Sequence, residues 1–374
     1  MLLDQILDRF AKWFSGMKKK KIPASIEPVG VKEIALRANV SLATVDRVLH
    51  NRTGVSDATR AKIQEIIKEL NYQPNILARR LASRKIIKFA VLIPRISNET
   101  EFWQAPLNGI EQADAGIRQY GIKIEKYFFD QNDKASFVIQ SRLILEAKVN
   151  GVLLAPNFVE ESISFTKACR KQNIPYIFIN SDIPHQDSLS YIGPDLFRSG
   201  YLGAHLINYL FEAGKILLVN ISKDINNNYH YLLRKEEGVR SYYKDHKSKK
   251  EVLKVDIRQT DYASIKAELS EVLLHEPGIK ALFVTNSRVS AVAHYLEEAG
   301  ITDKLLIGFD FLKENIDYLK KGTIDFLICQ KPQEQGYRGI MALYNSIVQQ
   351  LPIEKVQFMP IDIITKENYA FYGN

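Results

Sequence analysis

From residue 86 onward, short runs of Val, Ile, Leu and aromatic residues alternate with longer amphipathic stretches, and few folds accept that alternation. The spacing predicts strands over 88–94, 123–130, 151–155, 176–180, 215–220, 253–257, 281–285, 305–309 and 326–330. Stretches of helical character, such as 158–172 and 287–299, lie between most of them. Repeated strand–helix–strand units close as parallel sheets with helices on both faces. Nine such strands are more than one sheet of a body this size usually takes. Two similar α/β lobes, doubly wound and parallel, are therefore expected, with a cleft at the carboxyl ends of their strands.

Charge is distributed unevenly along the chain. Residues 17–88 hold 16 Lys and Arg against 6 Asp and Glu, whereas residues 89–374 hold 33 against 35. A small basic head on a nearly neutral body is the footprint of a nucleic-acid-binding module, although a solvated basic face has the same composition. The two cysteines, Cys169 and Cys329, lie far apart and in no metal-ligand spacing. They point to a reducing compartment and away from a disulfide scaffold or zinc site, so neither metal nor cofactor is expected.

No apolar run approaches the roughly 18 residues that span a bilayer, and no small-residue cleavage site precedes the lysine run at 18–21. A cytoplasmic location without membrane association is the expectation. Leu2, Leu3, Ile6, Leu7, Phe10, Trp13 and Phe14 form an amphipathic stripe at helical spacing. A membrane-surface or partner helix stays open there. The favoured reading is a dispensable extension upstream of a start at Met17.

Within the basic head, Val31, Ile34, Ala35 and Ala38 fall on one face of a short helix, and Asn39-Val40 breaks the pattern. Ser41 is placed to cap a second helix that turns Val45, Val48 and Leu49 inward. Leu42, Ala43, Thr44, Arg47 and, just beyond, Asn51 are then outward. A third helix, capped by Ser56, carries Ile63, Ile66, Ile67 and Leu70. Two short helices joined by such a turn form a helix-turn-helix, whose second helix enters the major groove. Arg47 can fork onto guanine, and Leu42 or Ala43 can meet a thymine methyl. A small structural bundle has the same pattern.

The contiguous order V-S-L-A-T-V-D-R-V, G-V-S-D-A-T-R, L-N-Y-Q-P-N and A-R-R-L-A resembles the DNA-binding head of the LacI/GalR family of regulators. The resemblance implies a hinge helix from Asn75 to about Ser83 that folds on operator DNA and pairs with a second subunit. Leu81, between the small Ala78 and Ala82, falls at the position that wedges into the minor groove. Arg79, Arg80, Arg84 and Lys85 would meet phosphates, making affinity salt-dependent.

Downstream, "KALFVTNSRVSAVAHYLEEAG", "LLIGFD" and "LKKGTIDFLICQKPQEQGYRGI" are similar to the periplasmic-binding-protein-like sensor domain of the same regulators, of the ribose-binding type. That fold implies three crossings between lobes, near 193–195, 330–332 and 358–360. The expected division is an extension over 1–28, the helix-turn-helix domain over 29–73, the hinge and linker over 74–86, and the sensor over 87–374. Lobe one takes 87–194 and 331–357; lobe two takes 195–330 and 358–374.

The same resemblance places sugar-contacting residues at Asp310, Gln330 and Asn286, at the aromatic pair Phe102 and Trp103, at Tyr262, and more loosely at Asn98. A basic ligand residue falls at Arg234 or Lys235, one position apart. Aromatic walls with a few convergent polar groups suit a sugar, whose C–H faces are apolar and whose hydroxyls need partners. The family's Asp-Arg pair is here Asn180-Ser181, which loses a charged clamp and leaves ribose itself in doubt.

These readings converge on a homodimeric DNA-binding regulator with double-stranded operator DNA and a small-molecule effector, a sugar or polyol, as partners. A short stretch after the last strand, without a leucine heptad, favours a dimer over a tetramer. A solute-binding protein is the alternative that the body alone would permit. The phosphate-loop, nucleophile-elbow and H-E-x-x-H patterns of common enzymes are absent from the sequence, and nothing in it favours catalysis.

Overall fold

The computed structural model describes residues 30–49, 52–70, 72, 86–97, 101–211, 213–223 and 230–373. The chain divides into two compact units, with the boundary between residues 75 and 76.

The first unit is helical: α1 (Val31–Ala38), α2 (Leu42–Leu49) and α3 (Asp57–Glu69). Asn39, in the left-handed region at φ 55°, ends α1 and turns the chain. The Ser56 side chain accepts from the Thr59 amide to start α3. Ile34, Ala35, Ala38, Val45, Val48, Ile63 and Ile66 form the core, with Val40, Leu49, Ile67 and Leu70 against it. The apolar spacing read from the sequence therefore sets the packing.

The second unit holds two six-stranded sheets of one winding. The first contains β1 (Ile87–Pro94), β2 (Ile122–Phe129), β3 (Gly151–Leu154), β4 (Tyr176–Ile179), β5 (Ser190–Gly193) and β11 (Val356–Phe358), in the order β11-β5-β4-β3-β1-β2. The second contains β6 (Lys215–Ile221), β7 (Val252–Ile257), β8 (Ile279–Val284), β9 (Leu305–Phe309), β10 (Phe326–Cys329) and β12 (Asp362–Ile364), in the order β12-β10-β9-β8-β6-β7. Each begins in the middle, steps outward once and then returns to the other side. That reversal opens a crevice at the strand ends between β1 and β3, and again between β6 and β8. All pairs are parallel except β10 with β12.

All nine predicted strands are present, within one or two residues at their ends. β5, β11 and β12 are additional. Phe358, expected in lobe two, instead closes β11 in the first sheet, where it pairs with Gly193. The chain passes between the sheets after Gly193, after Cys329 and after Phe358.

Helices α4 (Gln104–Ile117), α5 (Lys134–Glu146), α6 (Val159–Lys171) and α12 (Pro332–Leu343) cover the first sheet. Helices α7 (Leu196–Leu210), α8 (His230–Asp245), α9 (Tyr262–His275), α10 (Val289–Glu298) and α11 (Lys313–Lys321) cover the second. In each lobe two helices approach at glycine. A Cβ on Gly109 of α4 would lie 1.8 Å from the Gln333 carbonyl of α12, and one on Gly200 of α7 would lie 1.9 Å from the Lys235 carbonyl of α8. The second crossing bears on the cleft, because it fixes the backbone that carries Lys235.

Gly109→Ala is expected to destabilise the chain by about 1–3 kcal/mol through overpacking. Gly116→Ala, on the same helix with no atom within 4 Å of the added Cβ, is expected to stabilise it by up to ~1 kcal/mol. Urea unfolding midpoints of the two variants check the contrast.

Candidate functional site

In the helical unit, the first turn of α2 is outward. Ser41, Leu42, Ala43 and Arg47 are exposed and Thr44 is half-buried. Ser41 Oγ accepts from the Thr44 amide at 3.2 Å, and the two hydroxyls lie 2.9 Å apart, so the capping expectation for Ser41 holds. Leu42, an apolar side chain, is 48% exposed, and Arg47 of the same helix is also exposed. Arg52 bonds to Asp46 at 3.2 Å, and Arg60 donates to the Arg52 carbonyl at 2.8 Å, fixing the loop that follows. Asn51, Asn75, Ala78, Leu81 and Ala82 lie outside the described residues.

In the larger unit, strand ends from both sheets converge on one cleft. Phe102, Trp103, Gln131, Asn157 and Asn180 line it from the first lobe; Leu196, Tyr231, Lys235, Asn286, Ser287, Asp310 and Gln330 line it from the second. The Phe102 and Trp103 rings meet edge to face, centroids 5.1 Å apart. Asn180 and Asp310, the first residues past β4 and β9, and Lys331, just beyond β10, adopt left-handed backbone at φ 68°, 74° and 50°. Such conformations cost non-glycine residues roughly 1–3 kcal/mol and persist where the surroundings enforce them.

Asn315 provides that enforcement on one side. Fully buried, its amide nitrogen donates to the carbonyls of Ser287, Phe309 and Asp310 at 3.0–3.1 Å, and its oxygen accepts from the Ser290 amide at 3.2 Å. It thus ties the Asp310 turn to the Asn286–Ser287 turn. Gln335 does the same at the hinge: its oxygen accepts from the Asn180 amide at 3.0 Å and its nitrogen donates to the Gln330 carbonyl at 2.8 Å. One side chain therefore links a cleft residue of each lobe. The Gln330 amide in turn donates to Ser199 Oγ at 3.0 Å.

Lys235 and Asp310 are the oppositely charged pair of the cleft, 4% and 9% exposed. Burial pushes the Lys235 ammonium down and the Asp310 carboxyl up, and their mutual attraction opposes both shifts. Lys235 Nζ donates to the Thr285 carbonyl at 2.9 Å and lies 3.5 Å from the centroid of the Phe309 ring. Asn286 is also held by the protein, donating to the Ile221 carbonyl at 2.8 Å.

The cleft thus gathers Phe102, Trp103, Asn180, Lys235, Asn286, Asp310 and Gln330 from the expected set. The one-residue choice falls to Lys235. Arg234 points elsewhere, paired with Glu237 and lying over the Phe197 ring, because one step along a helix rotates a side chain by about 100°. Tyr262 is likewise displaced: at the start of α9 its hydroxyl bonds Glu298 and its ring packs on His294, so it lines no part of the cleft. Asn98 lies outside the described residues. Gln131, Asn157, Leu196, Tyr231 and Ser287 were missed. Gln131 and Asn157 are polar residues two or three positions past strand ends, where ligands of open α/β sheets bind, and Tyr231 lies one helical turn before Lys235. Those were available signals.

The family described as periplasmic binding protein domain matches residues 89–350, and that of bacterial regulatory proteins, lacI family, matches residues 30–75. The ribose operon repressor of Lactococcus lactis is 24% identical over 90% of this chain and 97% of its own length. The regulator RegA of Clostridium acetobutylicum is 28% identical over 49% of this chain and 52% of its own length. A crystal structure described as a LacI transcriptional regulator of Bacteroides fragilis matches with a TM-score of 0.71 at 28% identity, covering 77% of this chain and 100% of that one. A solute-binding protein of Agrobacterium vitis shares the fold, with a TM-score of 0.67 at 22% identity over 75% of this chain and 95% of that one. Over residues 89–350 the chain belongs to the periplasmic binding protein domain family, and residues 30–75 form a domain of the lacI family of bacterial regulatory proteins.

Proposed function

We propose that this chain is a sequence-specific transcription regulator that binds a pseudo-palindromic operator as a homodimer and responds to a sugar or polyol held in the cleft. The observation that carries the effector reading is the convergence of an aromatic pair, a carboxylate and several amides at strand ends of two lobes. A sugar needs that combination: rings for its C–H faces, and fixed donors and acceptors for its hydroxyls. The Lactococcus relative is named for a ribose operon, and the Agrobacterium structure holds tagatose. Both names support a carbohydrate without choosing one.

The DNA reading rests on the exposed first turn of α2 and on the family of residues 30–75. In this reading Arg47, Leu42 and Ala43 read base edges, Ser41 and Thr44 anchor the backbone, and Leu81 of the hinge segment wedges into the minor groove. Effector binding changes operator affinity only if the two lobe arrangements bind it with different strength. The head speaks against a transport role for the body.

Arg47→Ala is expected to relax base preference at one position of each half-site by about 1–3 kcal/mol. A binding-site selection experiment reads this directly, and an unchanged motif removes Arg47 from the readout. Asp310→Ala is expected to abolish thermal stabilisation of the full chain by free sugars while leaving operator affinity intact. A retained shift places the effector elsewhere.

A further inference from the structure

We propose that the effector is an uncharged polyhydroxyl molecule, a free sugar rather than a sugar phosphate or uronate, and that Lys235 serves as the fixed counter-ion of Asp310 rather than as an anion clamp. This rests on the sugar reading of the cleft given above.

An ammonium has three donor directions. On Lys235 one is taken by the Thr285 carbonyl at 2.9 Å, and the Phe309 ring, 3.5 Å from Nζ, faces the charge from another side. Phe309 immediately precedes Asp310, so the turn that presents the carboxylate also presents the ring that holds its counter-ion. The acceptor is held too, since the Thr285 hydroxyl is engaged with Val219 and Asn220 of β6. One donor direction and one face of the Lys235 ammonium are thereby taken by the protein before any ligand arrives.

The charge count of the cleft follows. Among the described residues lining it, the ionisable groups are Lys235, Asp310 and the phenol of Tyr231. One cation and one carboxylate sum to zero. A phosphate ester or carboxylate entering there would give up its water without gaining a counter-charge, an unfavourable exchange.

Nor does the outer part of the cleft offer a place for an anion. It shares Ser287 with the inner site, encloses about 670 Å³, and sets Arg288 and Lys313 against Glu101, Glu314 and Asp317. Its wall carries one more carboxylate than cations. A neutral sugar meets none of these costs: its hydroxyls donate to Asp310, and the amides of Asn157, Asn180 and Gln330 supply further partners.

Calorimetry of the full chain at pH 7.5 tests the assignment with matched probes: D-ribose, D-glucose, D-allose and D-galactose, each beside its terminal phosphate ester, with galacturonate beside galactose. For any sugar that binds, the charged partner is expected to bind at least 100-fold more weakly. A phosphate or uronate that binds as tightly as its parent overturns the inference while sparing the sugar reading. Binding by no member of the panel overturns the sugar reading, and this inference with it.

The role of Lys235 is read from the Lys235→Met variant. Without the opposing charge of Lys235 the Asp310 carboxyl rises further and ionises less readily, so sugar affinity is expected to fall at least tenfold at pH 7. As a carboxylate acceptor is regained by deprotonation, affinity is expected to recover toward pH 9. Affinity that stays low and flat with pH identifies Lys235 as a direct ligand contact and overturns the counter-ion role. Should the variant fail to fold, the matched-probe comparison on the native chain still decides the ligand class.

Discussion

A parallel strand must leave its sheet at the carboxyl end and cross over before the next can begin, and the cleft is built from that requirement. In both lobes the order reverses next to the first strand, so neighbouring crossovers part to opposite faces and leave the strand ends uncovered. Asn180, Asn286, Asp310 and Gln330 each occupy the first or second position past a strand. The Asp310 amide still reaches the Ile328 carbonyl of β10, but the Asn180 amide and the Asp310 and Gln330 carbonyls run past the ladder and are held by side chains. Asn315 and Gln335 supply those bonds from the helices behind. The residues that hold the turns are thus as specific to the site as the residues that line it.

The fold was legible in the sequence where a strand is buried on both faces. β1, β6 and β8 read as largely apolar runs, without strict alternation, because helices cover them on either side. β5 is four residues beginning with Ser and ending with Gly, and β11 and β12 are three residues each, too short for periodicity to register. Phe358 went to the wrong lobe for the same reason. Without β11, nothing in the sequence showed that the first sheet extends to that residue before the chain crosses.

The site was legible to the extent that strand ends were. Asp310 and Gln330 follow clear strands, and the structure puts both in the cleft. The choice between Arg234 and Lys235 could have been settled from helix phase. Leu232 and Val239, three residues before and four after Lys235, are buried, so Lys235 shares the inward face, whereas Arg234 aligns with the exposed Glu237. Tyr262 failed because resemblance counts positions and does not see caps. Asp261 accepts from the Ser264 amide and starts α9 at Tyr262, which turns the ring toward α10. A buried Asn such as Asn315, in the first turn of the polar helix α11, gave no sign that it would tie two strand ends together.

The same geometry constrains how a ligand in the cleft could favour one arrangement of the two lobes. Motion of one lobe against the other has to turn at the three crossings, and Lys331 sits in left-handed backbone at one of them. Gln335, one turn into α12, bonds the Asn180 amide of the first lobe and the Gln330 carbonyl of the second. A lobe rotation therefore either carries these two bonds along or breaks them, and breaking them exposes a buried amide and carbonyl at the floor of the cleft. A ligand that touched Asn180 and Gln330 together would meet both groups where Gln335 holds them, and its contacts would be strongest in that arrangement. Differential affinity, the quantity any effector response requires, then arises at the hinge side of the cleft. Asp310 and Lys235, both carried on one lobe, would contribute nearly equally in either arrangement.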